Sequence, residues 1–310
     1  MLPAPETIAR PKIKIQNILY TTDFSACSES AAAYATGIAR QFGSAVHVLH
    51  VLSREPVVVG EYGVHISELD ANLQADVAKK LDRLCKSYFE GIQCSQTIRI
   101  ADPADVGNIV QELVARMGID LIVMGTHGRV GLKHLLLGSV AEQVFRIASC
   151  PVLTIRPEME KSGLVGGRFD RILYATDFSP ASGAALQYAL FFANMFNSQV
   201  MLLHALHSDD VAETFDRLVA QTTDRLASLI PADAGIKYSV LARRALPADL
   251  ILEVSKSWRA NLIVIGAHHG SSISAHSPWA IAHQVMCQAP CPVFTAHEVA
   301  AAQTRMAIAS

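Results

Sequence analysis

The chain contains no apolar run approaching the roughly 18 residues a membrane-spanning helix requires. Its first residues, Met1-Leu-Pro-Ala-Pro-Glu6, carry no apolar signal core. A soluble, cytoplasmic protein is therefore expected. Charge is scarce and balanced, with 26 Lys and Arg against 28 Asp and Glu. A net charge of −2 leaves no electrostatic footprint for nucleic acid or an anionic membrane, so neither is expected as a partner. The six cysteines, at positions 27, 85, 94, 150, 287 and 291, show no paired Cys-x2-Cys zinc spacing. Cys287 and Cys291 fall at or just past a helix end, and buried, reduced thiols are the expected reading. The commoner phosphate loops are missing too. No Gly-x4-Gly-Lys-Ser/Thr occurs, and no Gly-x-Gly-x-x-Gly opens a helix.

What is present points to layers of strand and helix. Hydrophobic residues make up 51% of the chain and charged residues only 17%, as suits strands buried on both faces. A length of 310 residues exceeds one ordinary core and suggests two domains of roughly 150 residues. An internal repeat supplies them. Ile18-Leu-Tyr-Thr-Thr-Asp23-Phe-Ser25 returns as Ile172-Leu-Tyr-Ala-Thr-Asp177-Phe-Ser179. Ser44–His50 returns as Ser198–His204, Asp120–Gly125 as Asn261–Gly266, and Ser149–Thr154 as Pro290–Thr295, in the same order. Domains at residues 1–157 and 168–300 follow, joined by a stretch rich in glycine and charge that ends at Gly167.

In the first copy the pattern predicts strands at Ile15–Thr21, Ala45–Val51, Gln93–Ile100, Leu121–Met124 and Val152–Ile155. Helices are expected from about Ser25 to Phe42, Ser67 to Tyr88, Ala104 to Met117, and Ser139 to Ala148. Such alternation means an α/β fold, a parallel sheet flanked by helices. The fourth strand runs into Gly125-Thr-His-Gly128-Arg-Val-Gly-Leu-Lys-His-Leu-Leu-Leu-Gly138-Ser139. Ser139 with Glu142 three residues on reads as a capping box for the following helix. A helix amino end offers unpaired N–H groups, and glycines beside it let an anion approach the backbone.

The spacing Gly-x2-Gly-x9-Gly-Ser after an apolar strand resembles the ATP-binding signature of the universal stress protein family. The resemblance implies two tandem Rossmann-like domains, each a five-stranded parallel sheet in the order 3-2-1-4-5. In that order the winding reverses between strands 1 and 4, so Asp23 and Gly125 would meet at one crevice. By the same resemblance Asp23, with Thr21 and Thr22 beside it, would face adenosine, and Val51 would meet adenine. Met124 would also contact the nucleotide, and Gly125, His127, Gly128 and Arg129 would wrap the phosphates from one side. Gly138, Ser139 and Val140 would hold the phosphates at the helix end. ATP is thus the implied cofactor, with magnesium or manganese neutralising its triphosphate. The implied function is a nucleotide-responsive stress regulator whose domains pair through strand 5 and which assembles further as a homo-oligomer. Catalytic residues are not expected.

Alternatives remain for several of these residues. Asp23 either caps the next helix or touches the ligand, and Ser139 can do both. His50, retained as His204, and His127, retained as His268, read as packing or loop-anchoring residues. Arg129, Lys133 and His134 attract phosphate or are ordinary solvated charges. In the second copy Gly128, Arg129, Gly138 and Ser139 correspond to His269, Gly270, Trp279 and Ala280, and Val51 to Ala205. The expectation is that the Trp279 indole fills the second pocket and that one nucleotide binds per chain. His268, His269, His276 and His283 fit no familiar metal-ligand spacing. A slow ATP hydrolase and a non-nucleotide interaction module are the rival functions.

Overall fold

A computed structural model describes residues 13–53, 57–58, 64–65, 71–126, 137–157, 168–206, 212–267 and 278–297. In the first half the elements are β1 (Asn17–Thr21), α1 (Ala26–Phe42), β2 (Ala45–Ser53), β3 (Val57–Val58), β4 (Val64–His65) and α2 (Ala71–Tyr88). They continue with β5 (Cys94–Ala101), a 3₁₀ turn at Pro103–Asp105, α3 (Val106–Met117), β6 (Leu121–Gly125), α4 (Ser139–Ile147) and β7 (Val152–Ile155). The second half carries β8 (Arg171–Ala175), α5 (Pro180–Phe196), β9 (Gln199–Leu206), α6 (Ala212–Ser228) and β10 (Lys237–Arg244). It closes with α7 (Pro247–Ser257), β11 (Leu262–Ala267), α8 (Pro278–Gln288) and β12 (Val293–His297).

Ten strands form one sheet in the order β10-β9-β8-β11-β12-β7-β6-β1-β2-β5. Each half contributes five parallel strands in the order 3-2-1-4-5. The halves join where β7 runs antiparallel to β12, with Leu153 opposite Phe294 and Thr154 opposite Val293. The seam repeats itself across its own pseudo-twofold: Thr154 Oγ1 donates to the Val293 carbonyl and Thr295 Oγ1 to that of Val152, both at 3.3 Å. Two sheet edges that would otherwise stand open cover each other, leaving β5 and β10 outermost.

Alternation along the strands builds two core layers, one on each face of the sheet. Ile18, Tyr20, Val46 and Val48 face one layer with Ile172, Tyr174 and Val200. Leu19, Leu49, Ile122 and Val152 face the other with Leu173, Ile263 and Val293. Both layers draw on both halves, so the seam is core rather than a loose contact. Central strands are apolar throughout, as strands covered on both faces must be: all of Leu121–Met124 and Val152–Ile155 is buried.

Local chemistry moves several boundaries from their sequence-based positions. β2 extends two residues past Val51 to Ser53, and the small β3–β4 hairpin sits in the connection that follows. A 3₁₀ turn with Pro103 at its start precedes α3. The capping box at Ser139 is not formed. Gly138, extended at φ −62° and ψ 147°, is the N-cap, and its carbonyl accepts the Glu142 N–H at 2.9 Å. Ser139 is therefore already helical, and the Glu142 carboxylate turns outward to Arg146, 2.9 Å away.

Candidate functional site

The crevice lies where the strand order reverses, beyond the carboxyl ends of β1 and β6. A tightly bonded corner follows β1. The Thr22 N–H donates to the Leu49 carbonyl at 2.9 Å, continuing the β1–β2 ladder one step past the strand. Its Oγ1 accepts from the Phe24 N–H at 3.0 Å and meets Ser28 Oγ at 3.1 Å. Asp23 Oδ1 accepts from both the N–H and the hydroxyl of Ser25, at 3.0 and 2.6 Å. Ser25 then caps α1 by accepting the Ser28 N–H at 3.2 Å. Asp23 thus holds the turn ahead of the helix, while Ser25 does the capping.

This bonding keeps a bulky residue in a costly conformation. Phe24 sits at φ 62°, in the left-handed region that L side chains with a Cβ enter only under constraint. Its ring lies on the buried His50 imidazole, centroids 4.6 Å apart. His50 Nδ1 stands 2.7 Å from the Thr22 carbonyl, which can only accept, so Nδ1 carries the proton. Tyr20 donates its hydroxyl to the Ser28 carbonyl at 2.7 Å from below. Strain over-determined in this way is characteristic of a functional corner.

The opposite wall begins at the end of β6. A Cβ added to Gly125 would lie 2.7 Å from Cys27 Sγ and 3.2 Å from the Cys27 carbonyl carbon, so glycine is what lets β6 and α1 touch here. Cys27 Sγ donates to the Ile155 carbonyl at 3.1 Å, tying α1 to β7. Thr126 places its N–H on the same carbonyl at 2.8 Å and takes the Gly138 N–H on its own carbonyl at 2.7 Å. That last bond returns the chain to the crevice and fixes the amino end of α4 there. Among the described residues no acceptor engages the N–H groups of Ser139, Val140 or Ala141, the first turn of the helix.

The second half rebuilds the β1 corner almost atom for atom. Phe178 has φ 60°, its N–H donates to Thr176 Oγ1 at 2.9 Å, and its ring lies 4.7 Å from that of His204. His204 Nδ1 reaches the Thr176 carbonyl at 2.7 Å, and the Asp177 carboxylate takes the N–H and hydroxyl of Ser179. Burial works against the Asp177 charge, but the bonds from Ser179 outweigh it and hold the carboxyl below its ordinary range. The glycine wall is tighter: a Cβ on Gly266 would stand 2.4 Å from the Ser182 backbone nitrogen.

Two stretches of the chain, residues 14–156 and 168–297, match the model of the universal stress protein family. The chain belongs to that family. Universal stress protein MJ0531 of Methanocaldococcus jannaschii is 34% identical over 145 residues, spanning 46% of this chain and 82% of the relative. Universal stress protein A homolog 1 of Coxiella burnetii is 32% identical over 142 residues, spanning 45% of this chain and 95% of the relative. A universal stress protein structure from Archaeoglobus fulgidus has the same fold, with TM-score 0.67 and 23% identity over 91% of this chain and 98% of that one.

Of the residues that the family signature picks out, the structure gathers Thr22, Asp23, Gly125, Gly138, Ser139 and Val140 around the first crevice. Thr21 ends β1, and Val51 is half-buried near the end of β2. The Met124 side chain is only 2% exposed and belongs to the core, so it lies behind the crevice wall. His127, Gly128 and Arg129 lie outside the described residues, as do Lys133, His134, His268, His269 and His276. Sequence reasoning passed over Ser28, Tyr20 and Cys27, which lock the corner. The first two were signalled by the repeat, which keeps them as Ser182 and Tyr174.

The second pocket corrects an expectation about this universal stress protein. Trp279 does not fill it. Helix α8 begins at Pro278, two residues earlier than α4 by the repeat, so position 279 is already helical and its side chain turns toward the seam. The indole stacks on His283, 5.1 Å away, and lies 6.4 Å from Phe145, under the Arg146 guanidinium at 4.6 Å. Phe145 and Arg146 belong to α4, so the tryptophan braces one half against the other. A cavity of about 90 Å³ remains in the second crevice, lined by Thr176, Asp177, Leu203, Ala205, Ile251 and Gly266 among others. Burial holds the His283 imidazole below its ordinary pKa, which favours the neutral ring against the indole.

Proposed function

We propose that this universal stress protein binds ATP in its first half and acts as a nucleotide-responsive regulator rather than a rapid enzyme. The supporting observation is the amino end of α4. Three consecutive first-turn N–H groups, on Ser139, Val140 and Ala141, stand without an acceptor among the described residues, across the reversal point from the Thr22–Asp23 corner. Aligned N–H groups and the positive end of the helix dipole favour a phosphate there. Gly138 brings no side chain between that end and an approaching anion. Asp23 and Val51 would then receive the adenosine end. A triphosphate carries enough charge to require a divalent cation, and magnesium or manganese would be held chiefly by phosphate oxygens and water. Among the described residues no group of three His, Cys, Asp or Glu side chains clusters to hold such an ion.

The alternative of a slow hydrolase on the same fold is tested by turnover. Water attack on a phosphoryl group needs a residue that orients the nucleophile. Neither the Asp23 carboxylate, committed to Ser25, nor the His50 imidazole, committed to the Thr22 carbonyl, is built for that role. Purified protein should therefore release phosphate at well under the roughly 10 events per second of a typical enzyme, below about one per minute. Mass spectrometry of nucleotide released from freshly purified protein should find an adenine nucleotide. Sustained fast hydrolysis abolished by Gly138→Trp would replace the regulator with an enzyme.

A further inference from the structure

Two of the six cysteines are unlike the rest. Cys85, near the end of α2, and Cys94, the first residue of β5, hold their sulfurs 3.1 Å apart, with the Cys94 thiol directed at Cys85. The geometry is fixed from both sides. Cys94 is paired with Val46 in the sheet, and the Phe89 N–H donates to the Cys85 carbonyl at 2.8 Å as α2 ends. Between them Phe89 is buried, the Ile92 N–H returns to the Phe89 carbonyl at 3.0 Å, and Gly91 makes the turn at φ 77°. A disulfide bond is about 2.05 Å long, so closing this gap needs the sulfurs to approach by only about 1 Å.

We propose that Cys85 and Cys94 form a peroxide-oxidised dithiol that closes to an intramolecular disulfide. The Cys85 thiolate attacks one oxygen of a hydroperoxide, the O–O bond breaks, and the departing hydroxide or alkoxide takes up a proton to leave as water or alcohol. Cys85 is then a sulfenic acid. The Cys94 sulfur attacks it, the S–O bond breaks, and the hydroxyl leaves as water with the Cys94 proton. Two thiols give up two electrons, and one peroxide accepts them.

The surroundings suit this order of events. Both sulfurs are half-buried, so a small oxidant reaches them, and the Cys94 hydrogen bond lowers the Cys85 thiol below its ordinary range. The same bond, with burial, raises Cys94, which makes it the resolving thiol rather than the attacking one. The remaining four are shielded. Cys27, Cys150, Cys287 and Cys291 are buried, and desolvation pushes Cys150 up to about 12 and Cys287 up to about 11. The pair also lies away from the crevice, on the outer strand β5, where a disulfide would staple α2 to the sheet edge.

The test uses reduced full-length protein and hydrogen peroxide, with thiol counting and non-reducing peptide mapping. The expected product is a monomer that has lost two thiols, shows one Cys85–Cys94 cross-linked peptide, and is restored by dithiothreitol. Those two thiols should react at least about tenfold faster than the other four, as thiolate character and exposure dictate. Cys94→Ser should leave a Cys85 sulfenic acid that dimedone traps, and Cys85→Ser should form neither product. Cross-linking between chains only, oxidation spread over all six cysteines, or loss of Cys85 and Cys94 without a shared peptide would overturn the proposal. The peptide map of the unmutated protein decides the matter even if a variant fails to fold.

Discussion

The amino ends of α4 and α8 occupy the same place in the two halves and have been put to different uses. In the first half the helix begins after Gly138, with Ser139, Val140 and Ala141 offering their N–H groups to the crevice. In the second it begins at Pro278, which has no N–H, and the next residue sends an indole into the seam. The corners after β1 and β8 show no such divergence: Thr22, Phe24, Ser28 and His50 are matched by Thr176, Phe178, Ser182 and His204, bond for bond. The corner is thus kept in both halves, whereas the helix end differs in the few residues that open it, and in the second half it carries a brace between the two halves.

The comparison breaks most visibly at position 138. Gly138→Trp should weaken ATP binding about a thousandfold, or about 4 kcal/mol, in titration calorimetry. Trp279→Gly should not create a second site, because α8 still opens on Pro278 and the partners of Arg129 and Ser139 are Gly270 and Ala280. The glycine walls come next. Gly266→Ala drives a methyl into the backbone of Ala181 and Ser182, and should cost about 3 kcal/mol in urea unfolding. Gly125→Ala meets chiefly the Cys27 side chain, so it should cost about half as much, and Cys27→Ala should recover part of the loss. Trp279→Ala removes the bracing contacts with Phe145, His283 and Arg146, and should lower stability by about 2 kcal/mol while leaving nucleotide affinity unchanged. The smallest effect concerns acid. The folded-state pKa of Asp177 is depressed, so its contribution is present above the ordinary carboxylate range of about 4 and is lost as pH falls through the folded value. Asp177→Asn should flatten that part of the urea-midpoint profile below about pH 4.

Much of this was legible in the sequence. The repeat showed which strands correspond, and the apolar run bounded by Asp120 and Gly125 located a central strand. What escaped detection depended on three-dimensional neighbours. Ser139 and Glu142 have the spacing of a capping box, yet Gly138 takes the cap because its extended backbone already accepts the Glu142 N–H. Trp279 aligns with a glycine of the signature, but a helix that starts two residues earlier places it in the first turn, with its indole at the seam instead of the crevice. Cys85 and Cys94 match no familiar cysteine motif, and only the tight turn at Gly91 brings a helix end and a strand start together. Aligning the copies showed that the two crevices differ, but not that the second keeps an open cavity, because its lining is drawn from several elements.

The central claim is that one half holds nucleotide and the other does not. Titration calorimetry of nucleotide-free protein with ATP and magnesium measures this directly. One site per chain is predicted, lost in Gly138→Trp and retained in Trp279→Gly. Two equivalent sites, or one site whose affinity survives Gly138→Trp, would contradict the account.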